Sequence, residues 1–463
     1  MRYFLVIIVV GLLAGCARFH PQPILPAQTA ADLENRSLDS PALKLFLEGA
    51  LHHELTNWPA VSWDLEMLTL AAFYYHPSLE VARAQWAVAR GGETTAGQRP
   101  NPTLNVTPGY NSTTFLPSPW LPLGFFDIPI EMAGKRGHRR AQAAQMSAAA
   151  RLNVVTVAWQ VRSTLRASLL DLATAGQREA LLQTQIALQQ QVVQRLDQQA
   201  QAGAIASSEA ATFRIALARA WLDLADAQRL RVEARARVAE ALGIPLRAVA
   251  GLKVPVYPDL SPKLAAELTS SEVRRAALQS RPDILAALAE YAASQAALQL
   301  EIAKQYPDVH LQPGYQFDQG DSKWSLGLTV ELPVLHQNQG PIAEAKARRQ
   351  EAAARFNALQ ARVMAEIDRA VAVLQVSETN SAALRSLASE LAKRSESVAA
   401  QVRAGATDQL DLLNARLESA VAELLRLDGQ TKLQQAVGAL EDAVQRPLNL
   451  PDAIFQSARR ETP

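Results

Sequence analysis

The chain has 463 residues and is nearly balanced in charge, with a formal net charge of +1. This balance argues against a nucleic-acid-binding protein, which needs a strongly basic face. Only 6% of the residues are aromatic although 49% are hydrophobic, a composition that suits long helices better than an aromatic-rich core.

The N-terminus has the pattern of a lipoprotein signal peptide. Arg2 precedes an apolar run of about 11 residues, too short to span a bilayer as a helix, and the run ends in Ala14-Gly15-Cys16. Small residues before a cysteine suit cleavage and transfer of a lipid to its thiol. We predict removal of residues 1–15, lipidation of Cys16 and, because Ala17 rather than Asp follows, sorting to the outer membrane. A buried thiol near an ordinary secretory cleavage site is the alternative.

Proline placement predicts very long helices. None of the 25 prolines lies between Pro129 and Pro245 or between Pro341 and Pro447, and proline breaks helix interiors. Apolar residues recur every three or four positions in both windows, as amphipathic helices require. Gly203 and Gly405 stand near the middle of the two windows. Because glycine permits a sharp reversal, each window is predicted to be an antiparallel helical hairpin.

The two halves repeat one plan at an offset of about 205 residues. Pro108-Gly109-Tyr110 corresponds to Pro313-Gly314-Tyr315, and Ile128-Pro129-Ile130 corresponds to Leu332-Pro333-Val334. The order of the motifs is the same in both halves, which indicates an internal duplication.

Each half also has two stretches in which apolar and polar residues alternate. The clearer pair runs over about residues 308–333, and each of its strands is about ten residues long, enough for a tilted strand to cross a bilayer. Tyr315, Phe317 and Trp324 cluster near its turn, as a lipid-facing aromatic girdle does. A soluble β-hairpin alternates in the same way, but the predicted sorting to the outer membrane favours a hairpin that spans the bilayer. Four strands cannot close a barrel, so the chain is expected to oligomerise.

The predicted fold class is mainly α with a small β part, arranged as an internal two-fold repeat. Six parts follow along the chain: the signal peptide 1–15, a lipid-anchored segment 16–60, repeat 1 over 61–245 with strands at about 102–131, a linker 246–268, repeat 2 over 269–447, and a tail 448–463.

This organisation resembles the TolC family of outer-membrane factors over roughly residues 60 to 447. Arg403-Ala404-Gly405-Ala406 and the following Leu410-Asp411-Leu412-Leu413-Asn414-Ala415 resemble the second periplasmic turn of that family. Gly134-Lys135-Arg136-Gly137, together with Asn101-Pro102, is similar to the cobalt-zinc-cadmium efflux branch.

The resemblance implies a homotrimer in which twelve strands form a β-barrel that twelve helices continue as an α-barrel. It further implies an exit duct for small solutes, heavy-metal cations among them, which works with a periplasmic adaptor and an inner-membrane pump of the resistance-nodulation-division type. Asp411 matches an acidic position of the periplasmic gate and Asn414 falls on the second such position, while Asp408 is one turn away. Gly203 and Gly405 match the turns that the adaptor grips.

No enzymatic activity, metal site or cofactor is predicted apart from the covalent lipid on Cys16. No nucleophile elbow, phosphate loop or acid–base pair stands out, and His52 and His53 point about 100° apart on a helix. A second function remains open: a lipid-anchored periplasmic coiled-coil protein, structural or adaptor-like, without a barrel.

Overall fold

The computed structural model describes residues 18–112, 115, 118–253, 271–318, 320–446 and 455. Cys16 and the predicted signal peptide lie outside these residues, as do most of the predicted linker and the C-terminal tail. The lipid anchor therefore stays a prediction.

Within the described residues, four helices precede the first strand. They are α1 (Pro26–Glu34), α2 (Pro41–Leu51), α3 (Leu65–Tyr75) and α4 (Pro77–Gly97). Proline occupies the first turn of α1, α2 and α4, where its missing N–H costs no helical hydrogen bond. The carboxylate of Asp64 accepts the N–H of Met67 and caps α3. Both α3 and α4 pack against the long helix that follows the first strand pair.

Each half of the chain then contains a strand pair followed by a long helix and a shorter one. The first half has β1 (Thr103–Thr107), β2 (Leu123–Ile130), α5 (Lys135–Gln201) and α6 (Ser207–Leu242). The second half has α7 (Ser271–Ser280), α8 (Pro282–Ala303), β3 (Val309–Asp318), β4 (Asp321–Val330), α9 (Gln339–Arg403) and α10 (Gln409–Val444). With 67 residues in α5 and 65 in α9, the long helices measure about 100 Å at 1.5 Å per residue.

The two helical hairpins turn in the same way. Gly203 and Gly405 both have φ of +74°, a left-handed conformation that glycine adopts without a Cβ penalty. At the first turn the N–H of Ala204 donates to the carbonyl of Gln199. At the second turn Ala406 donates to Gln401. Both bonds belong to the Schellman motif, which satisfies the last carbonyls of a helix.

The four strands of the described residues form one antiparallel sheet in the order β1-β2-β3-β4. The pairing of β2 with β3 joins the two repeats, with Ile128 opposite Leu311 and Ile130 opposite Val309. Each repeat therefore contributes one hairpin to a common sheet, and within the described residues β1 and β4 each have one edge without a neighbour.

The long helices lie side by side. Helix α5 packs against both α6 and α10, and α10 packs against α9. The largest core joins α3 to α5 and α6 and includes Phe73, Leu165 and Leu242. Phe455 reaches this core from the C-terminal tail and stacks on Trp159 with ring centroids 4.5 Å apart. The predicted fold class, mainly α with a small β part, is confirmed, and the β part is a small antiparallel sheet.

Candidate functional site

One face of the sheet is apolar and open. Residues opposite each other in an antiparallel pair share a face, and Val309–Val330, Leu311–Leu328, Pro313–Leu326 and Tyr315–Trp324 are such pairs. The face continues through Phe126, Ile128 and Ile130 of β2 to Leu104 and Val106 of β1. Trp324 is 81% exposed and Leu328 is 66% exposed. An exposed apolar face of this extent marks a surface that contacts lipid or protein.

The opposite face carries mainly polar side chains. Nδ1 of His310 lies 2.9 Å from the carboxylate of Asp127, which joins β3 to β2. The hydroxyl of Thr329 donates to the side-chain oxygen of Gln312 across β3 and β4 at 3.2 Å. The polar residues of this face are Thr103, Asn105, Thr107, Asp127, His310, Gln312, Gln316, Lys323, Ser325 and Thr329.

Aromatic pairs lie near the turn end of both hairpins. Tyr315 and Trp324 face each other on β3 and β4 with ring centroids 4.9 Å apart, whereas Phe317 lies opposite Ser322. Tyr110 and Trp120 form an equivalent pair in the first half, at 5.1 Å. Trp120 was not among the predicted residues, although the repeat offset brings it close to Trp324. The girdle formed by Tyr315, Phe317 and Trp324 stays a prediction.

Ionic contacts connect the base of the sheet to the start of α5. Nζ of Lys135 lies 2.8 Å from the carboxylate of Asp308, which also accepts the N–H of Met132 at 2.9 Å. Burial raises the pKa of the Asp308 carboxyl, but these hydrogen bonds outweigh burial, and the pKa lies below its usual value. Arg139 donates to the carboxylate of Glu131 at 3.0 Å. Lys135 and Arg139 thus connect the start of α5 to the residues that flank β2 and β3.

A buried ionic cluster joins the two repeats between α5 and α10. Arg162 donates to Glu441 at 2.6 Å, and only 1% of the Arg162 side chain is exposed. Asp442 accepts hydrogen bonds from Ser163 at 2.5 Å and from Arg166 at 2.8 Å. Burial raises the pKa of the Asp442 carboxyl, while Arg166 and Ser163 oppose that rise. No sequence pattern predicted the cluster, because Arg162 and Glu441 are 279 positions apart.

The predicted gate residues lie at the start of α10, next to the turn at Gly405. Asp408 is the N-cap, and its carboxylate accepts the N–H of Asp411 at 2.8 Å. The carboxylate of Asp411 in turn accepts the hydroxyl of Thr407. Asp408 and Asp411 are exposed and Asn414 is half-buried. Both aspartates therefore have local structural roles, and their gating role stays a prediction.

Sites of two other classes are absent from the described residues. These residues contain no group of three or more His, Cys, Asp or Glu side chains placed to hold a metal ion. None of their helices combines the length and apolarity needed to cross a bilayer.

Comparisons with known proteins agree with this architecture. Residues 273–444 match the family model described as Outer membrane efflux protein. The chain is 27% identical over 198 residues to outer membrane protein OprJ of Pseudomonas aeruginosa, an alignment that covers 40% of each chain. It is 26% identical over 223 residues to the cobalt-zinc-cadmium resistance protein CzcC of Cupriavidus metallidurans, covering 47% of this chain and 51% of CzcC. The matches thus span about half or less of these relatives.

The whole fold is similar to that of a solved channel. The structure of the outer-membrane channel OprN superposes with a TM-score of 0.66 and 19% identity, covering 94% of this chain and 99% of OprN. This likeness establishes the fold. The matched family is one of channels and not of enzymes. Residues 273–444 are thus similar to the outer membrane efflux protein family, and the chain shares its overall fold with the outer-membrane channel OprN.

Proposed function

We propose that this chain is the subunit of a homotrimeric exit duct in the outer membrane, through which a tripartite efflux pump expels small solutes. The observation that carries the proposal is the two-faced sheet, which continues directly into helices about 100 Å long. The apolar face suits lipid, and the polar face suits a water-filled lumen. A helical layer of this length suits a passage across the periplasm.

The open edges of the sheet support the trimer. Each unpaired backbone group costs several kcal/mol in hydrocarbon, so β1 and β4 need further strands when the sheet lies in a bilayer. Three copies supply twelve strands, the number implied by the resemblance to the TolC family. The edge helices α6 and α9 also expose large apolar side chains, among them Leu222, Val232 and Val376, which suits packing against neighbouring copies.

The anchor and the partners form the second part of the proposal. Acyl chains on Cys16 attach the N-terminus to the outer membrane. A periplasmic adaptor contacts the turns at Gly203 and Gly405, where the flanking alanines allow its helices to approach closely. An inner-membrane pump of the resistance-nodulation-division type delivers the solute, and Asp408, Asp411 and Asn414 line the entrance that admits it.

Heavy-metal cations are the narrower proposal for the cargo. The name of CzcC refers to cobalt, zinc and cadmium resistance, and the Gly134-Lys135-Arg136-Gly137 motif resembles that branch. Transport through the duct is passive, and no enzymatic activity is expected. Deleting the gene tests the cargo: lower tolerance of zinc, cobalt or cadmium supports metal export, whereas lower tolerance of organic drugs alone contradicts it.

The alternative is a lipid-anchored coiled-coil protein without a barrel. In such a protein the apolar face of the sheet would be exposed to water, which is unfavourable for a surface of this extent. Reconstitution of the purified chain in planar bilayers distinguishes the two functions. The duct predicts trimers and discrete conductance steps. Stable monomers that give no conductance would support the coiled-coil protein.

A further inference from the structure

The segment that follows β4 continues the alternation of that strand. Leu332 and Val334 follow Leu328 and Val330 at the same two-residue step, and they are 72% and 81% exposed. Strand β4 nevertheless ends at Val330. Beyond it, the N–H of Val334 donates to the carbonyl of Leu332 at 2.8 Å, a tight turn of the kind that is common at strand ends.

The same motif forms a strand in the first repeat. Ile128-Pro129-Ile130 corresponds to Leu332-Pro333-Val334, yet Ile128 and Ile130 belong to β2 and pair with β3. The two copies of the motif differ in their surroundings, since β3 lies beside the first copy and the described chain places no strand beside the second. A strand is held by hydrogen bonds to its neighbour, so the second copy lacks the partner that would extend β4.

The repeat identifies the missing partner. Leu311, which lies opposite Ile128, stands two residues before Pro313-Gly314-Tyr315. Val106 stands two residues before the corresponding Pro108-Gly109-Tyr110. Ile128 therefore corresponds to Leu332, and Leu311 corresponds to Val106. If the edges of β4 and β1 pair as β2 and β3 do, Leu332 lies opposite Val106 of a second copy of this chain. The same step places Val334 opposite Leu104 of that copy.

We propose that β4 extends to Val334 on assembly and pairs antiparallel with β1 of a second copy, with Leu332 opposite Val106 of the partner subunit. This inference rests on the proposed duct and adds its contact residues and register.

Side-chain chemistry supports the register. Leu332 continues the apolar face of β4, and Val106 lies on the apolar face of β1, where it is 65% exposed. A slip of one residue would turn one strand's apolar side chains to the polar face. A slip of two residues keeps the faces but leaves more backbone groups unpaired at the strand ends, which is costly in lipid.

Disulfide formation tests the register in the full-length chain. The variant with Leu332→Cys and Val106→Cys is oxidised in outer membranes and run on a non-reducing gel. Opposite residues lie about 5 Å apart at Cβ and diagonal ones about 7–8 Å, whereas a disulfide spans about 4 Å. We expect covalent dimers and trimers, at about five times or more the yield of Leu332→Cys with Leu104→Cys.

The chain offers a matched internal control. The double variant Ile128→Cys with Leu311→Cys places cysteines at the observed β2–β3 pair that corresponds to Leu332 and Val106. Its disulfide forms within one subunit, so the oxidised chain migrates as a monomer. Leu332→Cys alone and the parental chain, which retains Cys16, give the background.

The outcomes separate this inference from the proposed duct. A higher yield for Leu332→Cys with Leu104→Cys, in chains that remain trimeric, overturns the register and leaves the duct. If the chains are trimeric and the internal control forms its disulfide, but neither intersubunit pair does, the β4–β1 pairing is wrong. Monomers throughout overturn both proposals.

Discussion

Gly438 leaves the space that the guanidinium group of Arg166 occupies. A Cβ atom built on Gly438 would lie 1.3 Å from Nη1 of Arg166. Through this gap Arg166 of α5 reaches Asp442 on α10. The absence of one side chain on α10 therefore permits part of the buried ionic cluster that joins the two repeats.

Gly438→Ala should expel Arg166 from this position. We expect the free energy of unfolding to fall by about 1–3 kcal/mol, the usual effect of overpacking a core, measured by urea denaturation of the purified chain in detergent. Gly176→Ala on α5 is the matched control, because a Cβ atom at Gly176 would meet no heavy atom within 4 Å and alanine favours a helix by about 1 kcal/mol. Equal losses in both variants would contradict this account.

The Asp442 carboxyl should make stability depend on pH. Burial raises its pKa in the folded chain, so the folded state holds the proton more tightly than the unfolded state. This contribution to stability is fully present below the unfolded pKa of about 3.9 and is lost as pH rises through the folded pKa.

Asp442→Asn removes that dependence while keeping the shape of the side chain. As pH falls from about 7 to about 4, the wild type should therefore gain stability relative to the variant. Urea midpoints measured across this range check the difference, which includes the effect of the nearby Glu441, Arg162 and Arg166. Parallel profiles for the two proteins would show that Asp442 titrates alike in the folded and unfolded chain.

A charge on the apolar face of β4 should impair assembly. Leu328→Arg places a cation against lipid, which costs about 2–4 kcal/mol near the bilayer midplane. Thr329→Arg is the adjacent control on the polar face, where water solvates the charge. The amount of heat-modifiable trimer in outer membranes measures the effect. If both variants assemble equally well, the apolar face does not contact lipid.

Removing charge at the start of α10 should change conductance without changing the fold. Three Asp408 and three Asp411 carboxylates that converge on an axis attract multivalent cations. Asp408→Asn combined with Asp411→Asn should therefore weaken block by such cations from the periplasmic side in planar bilayers. Asparagine is also a good N-cap, whereas Asp408→Ala would cost about 1 kcal/mol of helix stability. Unchanged block at normal trimer content would place both aspartates away from the entrance.

Cys16→Ser should leave an unprocessed precursor in the inner membrane. The serine hydroxyl is a much weaker nucleophile than a thiolate, so lipid transfer and the cleavage that follows it should both fail. Labelling with radioactive palmitate measures the transfer, and the wild-type chain is the control. Incorporation of label into the Ser variant at the wild-type level would refute lipidation at Cys16.

Local patterns in the sequence determined the elements of this protein. Proline-free windows with apolar residues every three or four positions predicted the long helices, and glycine predicted the turns at Gly203 and Gly405. Helix formation and reversal depend on the backbone preferences of nearby residues. The two-residue alternation assigned Leu328 and Thr329 to opposite faces of a strand for the same reason.

Only the tertiary structure decided which distant elements meet. The pairing of β2 with β3, the contact of Asp127 with His310, and the space that Gly438 leaves for Arg166 join residues far apart in the chain. No periodic pattern specifies such contacts, because they depend on how whole helices and strands pack against one another. The repeated motif shows the difference. Ile128-Pro129-Ile130 forms a strand because β3 lies beside it, whereas Leu332-Pro333-Val334, which has no neighbouring strand within the described residues, does not.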